Sequence, residues 1–480
     1  CKIHLIYVKL QKDRKRVWFA SMFNSQQKRG AMQTLFGLLL TAVNSALFAL
    51  VWFMYYRTKM YIYPFFIKGD VIVVLLFALL FYMFAHLYSG FDVVFQTAAE
   101  MMYSNTVAAV ISCGIMYVIT ALLIRAVPNV LPMLVLVVGC VAMSGLLSFC
   151  VKKATARFLP PRATLLVYGN PEARKEGEDI LRRLPGAFYV LDSISADVGS
   201  EELCRQIFRW DARAVMLCGV PSSERNDLLK YCIDRNIEAY VRPNIGDLLV
   251  KGARAMQLDN LPVLVCHRSS PAIWYLALKR LTDILLSLAA LVVFSPFMLI
   301  TAIAIKLYDG GPILYKQLRL TKDGKQFYIY KFRSMRVDAE KDGVARLAQE
   351  HDGRITPVGK IIRAIRIDET PQLFCILVGD MSIVGPRPER PEIAEDYELE
   401  MPEFALRLQA KAGLTGLAQV YGKYNTTPYN KLQMDLQYIA SMGVVEDLKI
   451  MFATVKILFM PESTEGVADG QTTAMNEEKK

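Results

Sequence analysis

Lys279-Arg280-Leu281-Thr282-Asp283 opens an apolar run, residues 284–305, that ends at Lys306 and carries Ser295-Pro296 in its middle. The run is about the length that spans a bilayer. Yet cations flank it on both sides, Lys279 and Arg280 before it and Lys306, Lys316 and Arg319 after it. Basic flanks stay on the cytoplasmic side of a membrane. A through-crossing would separate them, whereas a helix broken at Ser295-Pro296 that enters one leaflet and returns keeps them together. Proline removes a backbone donor and bends the axis, and a serine hydroxyl can occupy the freed carbonyl. The sequence therefore predicts a re-entrant membrane helix hairpin over residues 269–308, with Ser295 and Pro296 at its break.

Upstream, the composition is that of a membrane protein. The chain is 54% hydrophobic, with a mean hydropathy of +0.28, above the range of ordinary soluble domains. Its net charge of +11 lies largely beside apolar spans, which favours an anionic membrane surface over nucleic acid. Residues 1–30 form a basic cytoplasmic segment, with Asp13 as the sole acid. Apolar runs near 33–55, 71–89, 106–125 and 130–150 fit four transmembrane helices within 31–151. The basic residues at 151–157 then bring the chain back to the cytoplasm. His86, inside the second run, is expected in a helix–helix hydrogen bond. Nine cysteines with no CxxC pair argue against a zinc or disulfide framework and predict buried free thiols.

Pro160-Pro161 marks a linker, and the periodicity then changes. Short apolar runs at 164–169, 187–191, 214–218 and 237–241 alternate with helical patterns, which predicts a Rossmann-like α/β domain over 163–268. Only the first glycine of a GxGxxG turn is present, at Gly169, so a structural or regulatory role is expected rather than NAD binding.

Residues 309–462 read as a compact α+β domain, and 463–480 as a disordered tail. Strands at 313–317 and 326–330 flank a turn, and Lys331 and Arg333 fall two residues apart on one strand face. Helices are expected at 338–351, 392–400 and 430–440, with Asp435 and Tyr438 on one face of the last. An amphipathic helix at 444–460 is expected along a membrane surface. The densest chemistry is Arg363-Ala364-Ile365-Arg366-Ile367-Asp368-Glu369, followed by Gly385-Pro386-Arg387-Pro388-Glu389-Arg390. Adjacent carboxylates ionise together only beside cations. Asp368-Glu369 among arginines thus fits a metal-phosphate site, a hard cation on the carboxylates and guanidinium forks on phosphate oxygens. An acidic helix start is the plainer reading of the pair alone.

Taken together, these runs resemble the bacterial polyprenyl-phosphate sugar-1-phosphate transferases, the monotopic phosphoglycosyl transferases, in their long form. The resemblance is dense over about 270–460. It runs through Lys279-Arg280, Asp283, Ser295-Pro296, Gly311-Pro312, Gln317 to Arg319, Lys331 to Met335, Asp368-Glu369, Gly379-Asp380, Gly385 to Pro388, Leu414-Thr415-Gly416 and Asp435 to Tyr438. It implies transfer of a phospho-sugar from a UDP-sugar to undecaprenyl phosphate with release of UMP, the first membrane step of a capsule, exopolysaccharide or O-antigen. It also implies Mg2+, a covalent phospho-sugar on Asp368 with Glu369 beside it near the metal, and phosphate contacts from Arg363, Lys331, Arg333, Arg387 and Arg319. Membrane lipid, downstream glycosyltransferases and a homodimer complete the expected partners, in the bacterial inner membrane with the catalytic domain facing the cytoplasm. Three departures stand out, Ala412 where the family usually has proline, Thr321 where glycine is common and Thr370 where leucine is common. The competing expectations are a processive glycosyltransferase, which would need a DxD motif at a strand end, and a non-catalytic scaffold or sensor of polysaccharide export built on 163–250. Sugar choice is assigned to the loop at 421–429 by its position.

Overall fold

The computed structural model describes residues 29–60, 67–337, 353–422 and 426–458. Residues 1–28 of the basic segment, the whole of the helix expected at 338–351, part of the loop at 421–429 and the tail lie outside them. The chain divides into two compact units, Cys1–Arg242 and Pro243–Lys480.

In the first unit, four helices are long and apolar enough to cross a membrane: α1 (Arg29–Lys59), α2 (Ile67–Leu87), α3 (Ala98–Ile124) and α4 (Leu131–Phe158). Aromatic stacking ties α1 to α2, with the Phe48 and Phe77 ring centroids 4.5 Å apart. The buried face of α3 is small or polar, with Ser104, Ala108, Ala109 and Ser112, and so is that of α4, with Cys140, Ser144 and Ser148. Small faces let helix backbones approach where lipid removes the hydrophobic drive between helices. His86 departs from expectation: it is exposed and stacks on Tyr82, 6.2 Å away.

The α/β part follows as β1 (Arg162–Tyr168), α5 (Pro171–Arg183), β2 (Phe188–Ser195), α6 (Ser200–Arg209), β3 (Ala214–Cys218), α7 (Ser222–Asp234) and β4 (Glu238–Val241). The strands pair in parallel in the order β2-β1-β3-β4. Leu165 and Val167 of β1 bury on one face against α6 and α7, and Leu166 on the other against α5. Asn170 caps α5, its Oδ1 accepting from the Ala173 amide at 2.7 Å. A side chain therefore fills donor positions that a phosphate would take in a dinucleotide turn.

The second unit begins with α8 (Ile245–Lys251), whose Leu248 joins the core of the domain that follows. An antiparallel hairpin comes next, β5 (Arg254–Leu258) and β6 (Leu261–Val265). After it runs α9 (Ile273–Asp309), one helix with Pro296 inside. The hydrogen-bonded helix continues through the point where a break was expected. Pro296 frees the carbonyl of Val292, and Ser295 Oγ donates to that same oxygen at 2.8 Å. Only 11% of the most apolar window of α9 is buried.

Both ends of α9 are fastened to one domain. Near its start, Lys279 Nζ donates to Asp447 (2.7 Å) and to the Tyr438 hydroxyl (3.1 Å). Arg280 forks onto the carbonyls of Ile376 and Leu377, and Asp283 accepts from Ser382 Oγ and the Ile383 amide. At its end, Asp309 pairs with Arg333. The domain comprises the hairpin β7 (Leu314–Leu320) and β8 (Gln326–Phe332), α10 (Pro357–Ala364), α11 (Gln372–Val378), β9 (Ser382–Val384), α12 (Pro391–Glu400), β10 (Gly413–Thr415), α13 (Leu417–Tyr421), α14 (Pro428–Ala440) and α15 (Val444–Leu458). Strands β9 and β10 pair in parallel.

Two of the departures from the family pattern, Thr321 and Ala412, meet in this domain. Buried Thr321 Oγ1 accepts from the amide of buried Ala412 at 3.1 Å and donates to the Asp380 carbonyl at 3.0 Å. A proline at 412 would have no N–H to satisfy, and a glycine at 321 no oxygen to offer. Thr321→Gly should lower stability by about 1–3 kcal/mol by orphaning that amide. Adding Ala412→Pro should recover part of the loss. Thermal unfolding of the single and double variants measures this, and equal melting temperatures in the two would refute it.

Candidate active site

Asp368 and Glu369 sit in a short 3-10 turn, Ile367–Glu369, between α10 and α11. Arg366 enters the turn with φ 57, a left-handed conformation uncommon outside glycine. The turn packs beside β8, which brings Lys331 to it. Lys331 Nζ donates to Glu369 Oε1 at 2.7 Å, and Arg387 Nη2 reaches the same oxygen at 3.0 Å.

These contacts separate the two carboxylates electrostatically. Burial pushes Glu369 up, but Lys331 and Arg387 outweigh it and hold the carboxyl well below its ordinary range. Asp368 goes the other way: burial and the neighbouring Glu369 charge raise it to about 6, against the pull of Lys331, Arg363 and Arg366. Lys331 is lowered by burial and supported by Glu369. At neutral pH Asp368 is ionised, yet it is a stronger base than a solvated aspartate.

The Gly385–Arg390 loop carries Arg387, and each carbonyl from 386 to 389 has a donor on a different segment. Pro386 O accepts from the Gly413 amide (2.9 Å), Arg387 O from Arg407 Nη2 (2.8 Å), Pro388 O from Arg319 Nη1 (2.9 Å) and Glu389 O from the Leu320 amide (3.0 Å). A side chain at Gly385 would collide with the backbone of Lys411, so only glycine permits the loop to lie this close.

The residues expected to contact phosphate thus divide. Lys331, Arg363 and Arg387 gather around the carboxylate pair. Arg319, lowered to about 10 by burial, is engaged by Pro388 O, Gln317 Oε1 and Glu389. Arg333 is 7% exposed and pairs with Asp309 at the end of α9, and a side chain at Gly311 would collide with its guanidinium. Both guanidiniums are thus engaged by groups of the protein itself. Sequence reasoning passed over Arg407, and it named Arg366, Glu389 and Asp435 within their runs without giving them a site role. For Arg407, the signal was a charge between Leu406 and Leu408 in an apolar stretch.

Five cysteines are buried and free, as expected, while Cys150 and Cys266 are exposed. Among the described residues no cluster of three or more His, Cys, Asp or Glu forms a metal cage.

A half-buried carboxylate pair set among cations, on a domain fastened to a long apolar helix, points to a membrane-associated enzyme. The family described as Bacterial sugar transferase matches residues 274–461. Over 309 residues the chain is 41% identical to a UDP-N-acetylgalactosamine-undecaprenyl-phosphate N-acetylgalactosaminephosphotransferase of Aeromonas hydrophila, covering 63% of this chain and 68% of that one. It is 36% identical over 218 residues to a UDP-glucose:undecaprenyl-phosphate glucose-1-phosphate transferase of Klebsiella pneumoniae, covering 44% and 47%. It is 40% identical over 190 residues to a transferase of the same name from Caulobacter vibrioides, covering 38% and 71%. The chain belongs to this family of bacterial sugar transferases.

Asp309→Ala should leave the largely buried Arg333 guanidinium without its carboxylate and lower the melting temperature. A thermal melt unchanged from the wild type would mean that this pair does not hold α9 to the domain.

Proposed function

We propose that the chain transfers a sugar-1-phosphate from a UDP-sugar to undecaprenyl phosphate. The observation that carries this is the Asp368-Glu369 pair with Lys331 Nζ and Arg387 Nη2 at 2.7 and 3.0 Å from Glu369 Oε1, on a domain fastened to both ends of an apolar helix. In the first step Asp368 attacks the sugar-bearing phosphorus of the UDP-sugar. A P–O bond forms to the carboxylate, the bond to the other phosphate breaks, and UMP leaves. In the second step a phosphate oxygen of undecaprenyl phosphate attacks the same phosphorus, which frees Asp368 and yields a lipid diphosphate sugar. A carboxylate nucleophile divides one hard displacement into two easier ones. Lys331, Arg363 and Arg366 lie where charge on the transferring phosphoryl group would be stabilised. The product stays in the bilayer as the acceptor for downstream glycosyltransferases that build a capsule, exopolysaccharide or O-antigen. A non-catalytic scaffold would leave the half-buried carboxylates and the cations around them without a purpose.

The donor set fits Mg2+. This ion commonly takes one or two carboxylates plus substrate phosphates rather than an all-protein cage, and Asp368-Glu369 supplies the carboxylates. When bound, Mg2+ would neutralise diphosphate charge.

Asp368→Asn should abolish UMP release while the protein still folds, because an amide is not a competent nucleophile. In the wild type, kcat/KM should fall as pH drops through about 6, where Asp368 takes up its proton. Glu369, held well below its ordinary range, should not set that limb. Turnover by the Asp368→Asn variant comparable to the wild type would sink the mechanism.

The membrane part of the proposal is a four-helix transmembrane bundle in the first unit and a re-entrant α9. The domain faces the cytoplasm of the bacterial inner membrane, where UDP-sugars are found. Support for re-entry comes from Lys279 and Asp309, which both bind the same domain. Single cysteines placed before Lys279 and after Lys306, in a background lacking Cys266 and Cys375, should be labelled from the same side. Labelling from opposite sides would make α9 a through-crossing helix.

A further inference from the structure

The strongest candidate outside the reacting pair lies beneath it. Arg407 is 4% exposed, on the 3-10 turn Pro402–Gln409. Its guanidinium holds Asp435 at 2.7 Å and lies 3.6 Å from Glu389. The remaining bond, from Nη2, goes to the backbone oxygen of Arg387 at 2.8 Å. Arg387 in turn places its own guanidinium on Glu369. The chain of contact is therefore Asp435, Arg407, the Arg387 peptide, the Arg387 side chain and Glu369.

The surroundings make that peptide dependent on Arg407. Pro386 and Pro388 flank Arg387 and have no N–H, so neither can donate a bond that fixes the loop. The loop is held chiefly through its carbonyls, and Arg407 takes the one belonging to Arg387 itself. Arg387 is exposed and has a long side chain, so its reach to Glu369 depends on where its backbone is set. Asp435 and Glu389 leave Arg407 little freedom to turn. A planar fork can serve a carboxylate and a carbonyl together, whereas a lysine ammonium is a point donor.

We propose that Arg407 is a positioning residue of the transferase, which sets the Arg387 guanidinium against Glu369 by holding the Arg387 carbonyl. This rests on the transferase reading above and names a residue outside the motifs that define it. Arg407 touches no substrate; it acts through Arg387.

A double-mutant cycle on the full-length protein, read by UMP release, tests it. Arg407→Lys should lower kcat by about 10- to 100-fold, the scale of a small misplacement at a reacting centre. KM for the UDP-sugar should stay within about threefold. In an Arg387→Ala background the same Arg407→Lys change should alter kcat by less than about twofold, because the group it positions is gone. An equal loss in both backgrounds, or none in the wild type, overturns the proposal. Where Arg407→Lys folds poorly, the double variant Arg407→Met, Asp435→Asn removes the buried pair together and leaves Glu389 with Arg319. That variant, folded and fully active, also overturns it. Hydrogen exchange of residues 385–391 reads the contact without turnover: Arg407→Lys should speed it and Arg387→Ala should not. Unchanged exchange in Arg407→Lys counts against the proposal even if turnover falls. A wild type whose UMP release equals that of Asp368→Asn would instead refute the transferase reading.

Discussion

Glu369 Oε1 receives both Lys331 and Arg387, and the site follows from that convergence. Burying a lone carboxylate is costly, so it is found charged in an interior only when cations and hydrogen bonds compensate. Here the compensation is unequal along two consecutive residues. Glu369 takes the short contacts, and Asp368 is left with longer-range attraction and the repulsion of its neighbour. One turn of chain thus presents a fixed anion beside a basic one. Each cation on Glu369 needs its own support. Lys331 has the β7–β8 hairpin, and Arg387 has a loop whose carbonyls are all engaged.

The helix α9 organises the domain at a larger scale. Its polar residues near the start reach α11, β9, α14 and α15, while its apolar middle offers little to the protein interior. Ala290 and Leu291 pack against the core around Ile376, and Met298 and Ala302 against the one around Ile362. The helix is thereby an exposed apolar element and a wall of the catalytic domain in different stretches of one chain.

Much of this was legible in the sequence because the signals were local. Apolar runs gave the long helices, and alternation gave the parallel sheet. Adjacent charges drew attention to Asp368 and Glu369. What sequence reading missed depended on distant partners. Arg333 shares a strand face with nothing that hints at Asp309, and Arg319 gives no sign of the Pro388 carbonyl. Lys331 and Arg333 looked equivalent by spacing, yet one meets Glu369 and the other a helix end. Thr321 and Ala412 read as separate departures, although one hydrogen bond joins them. The predicted break in α9 was half right: Ser295 does fill the carbonyl that Pro296 frees, and the local bond lets the helix continue.

The two fastenings of α9 differ greatly in sequence distance. Asp309 meets Arg333, 24 positions on, while Lys279 waits for Asp447, 168 positions on. During synthesis, then, the far end of the apolar helix can be secured almost as soon as it emerges. Its leading end stays without that partner until nearly the whole domain has been made. Arg280 and Asp283 find their partners sooner, 96 to 100 positions on, so the start of the helix is fastened in stages. The order in which a ribosome delivers this domain is therefore also the order in which α9 is secured to it.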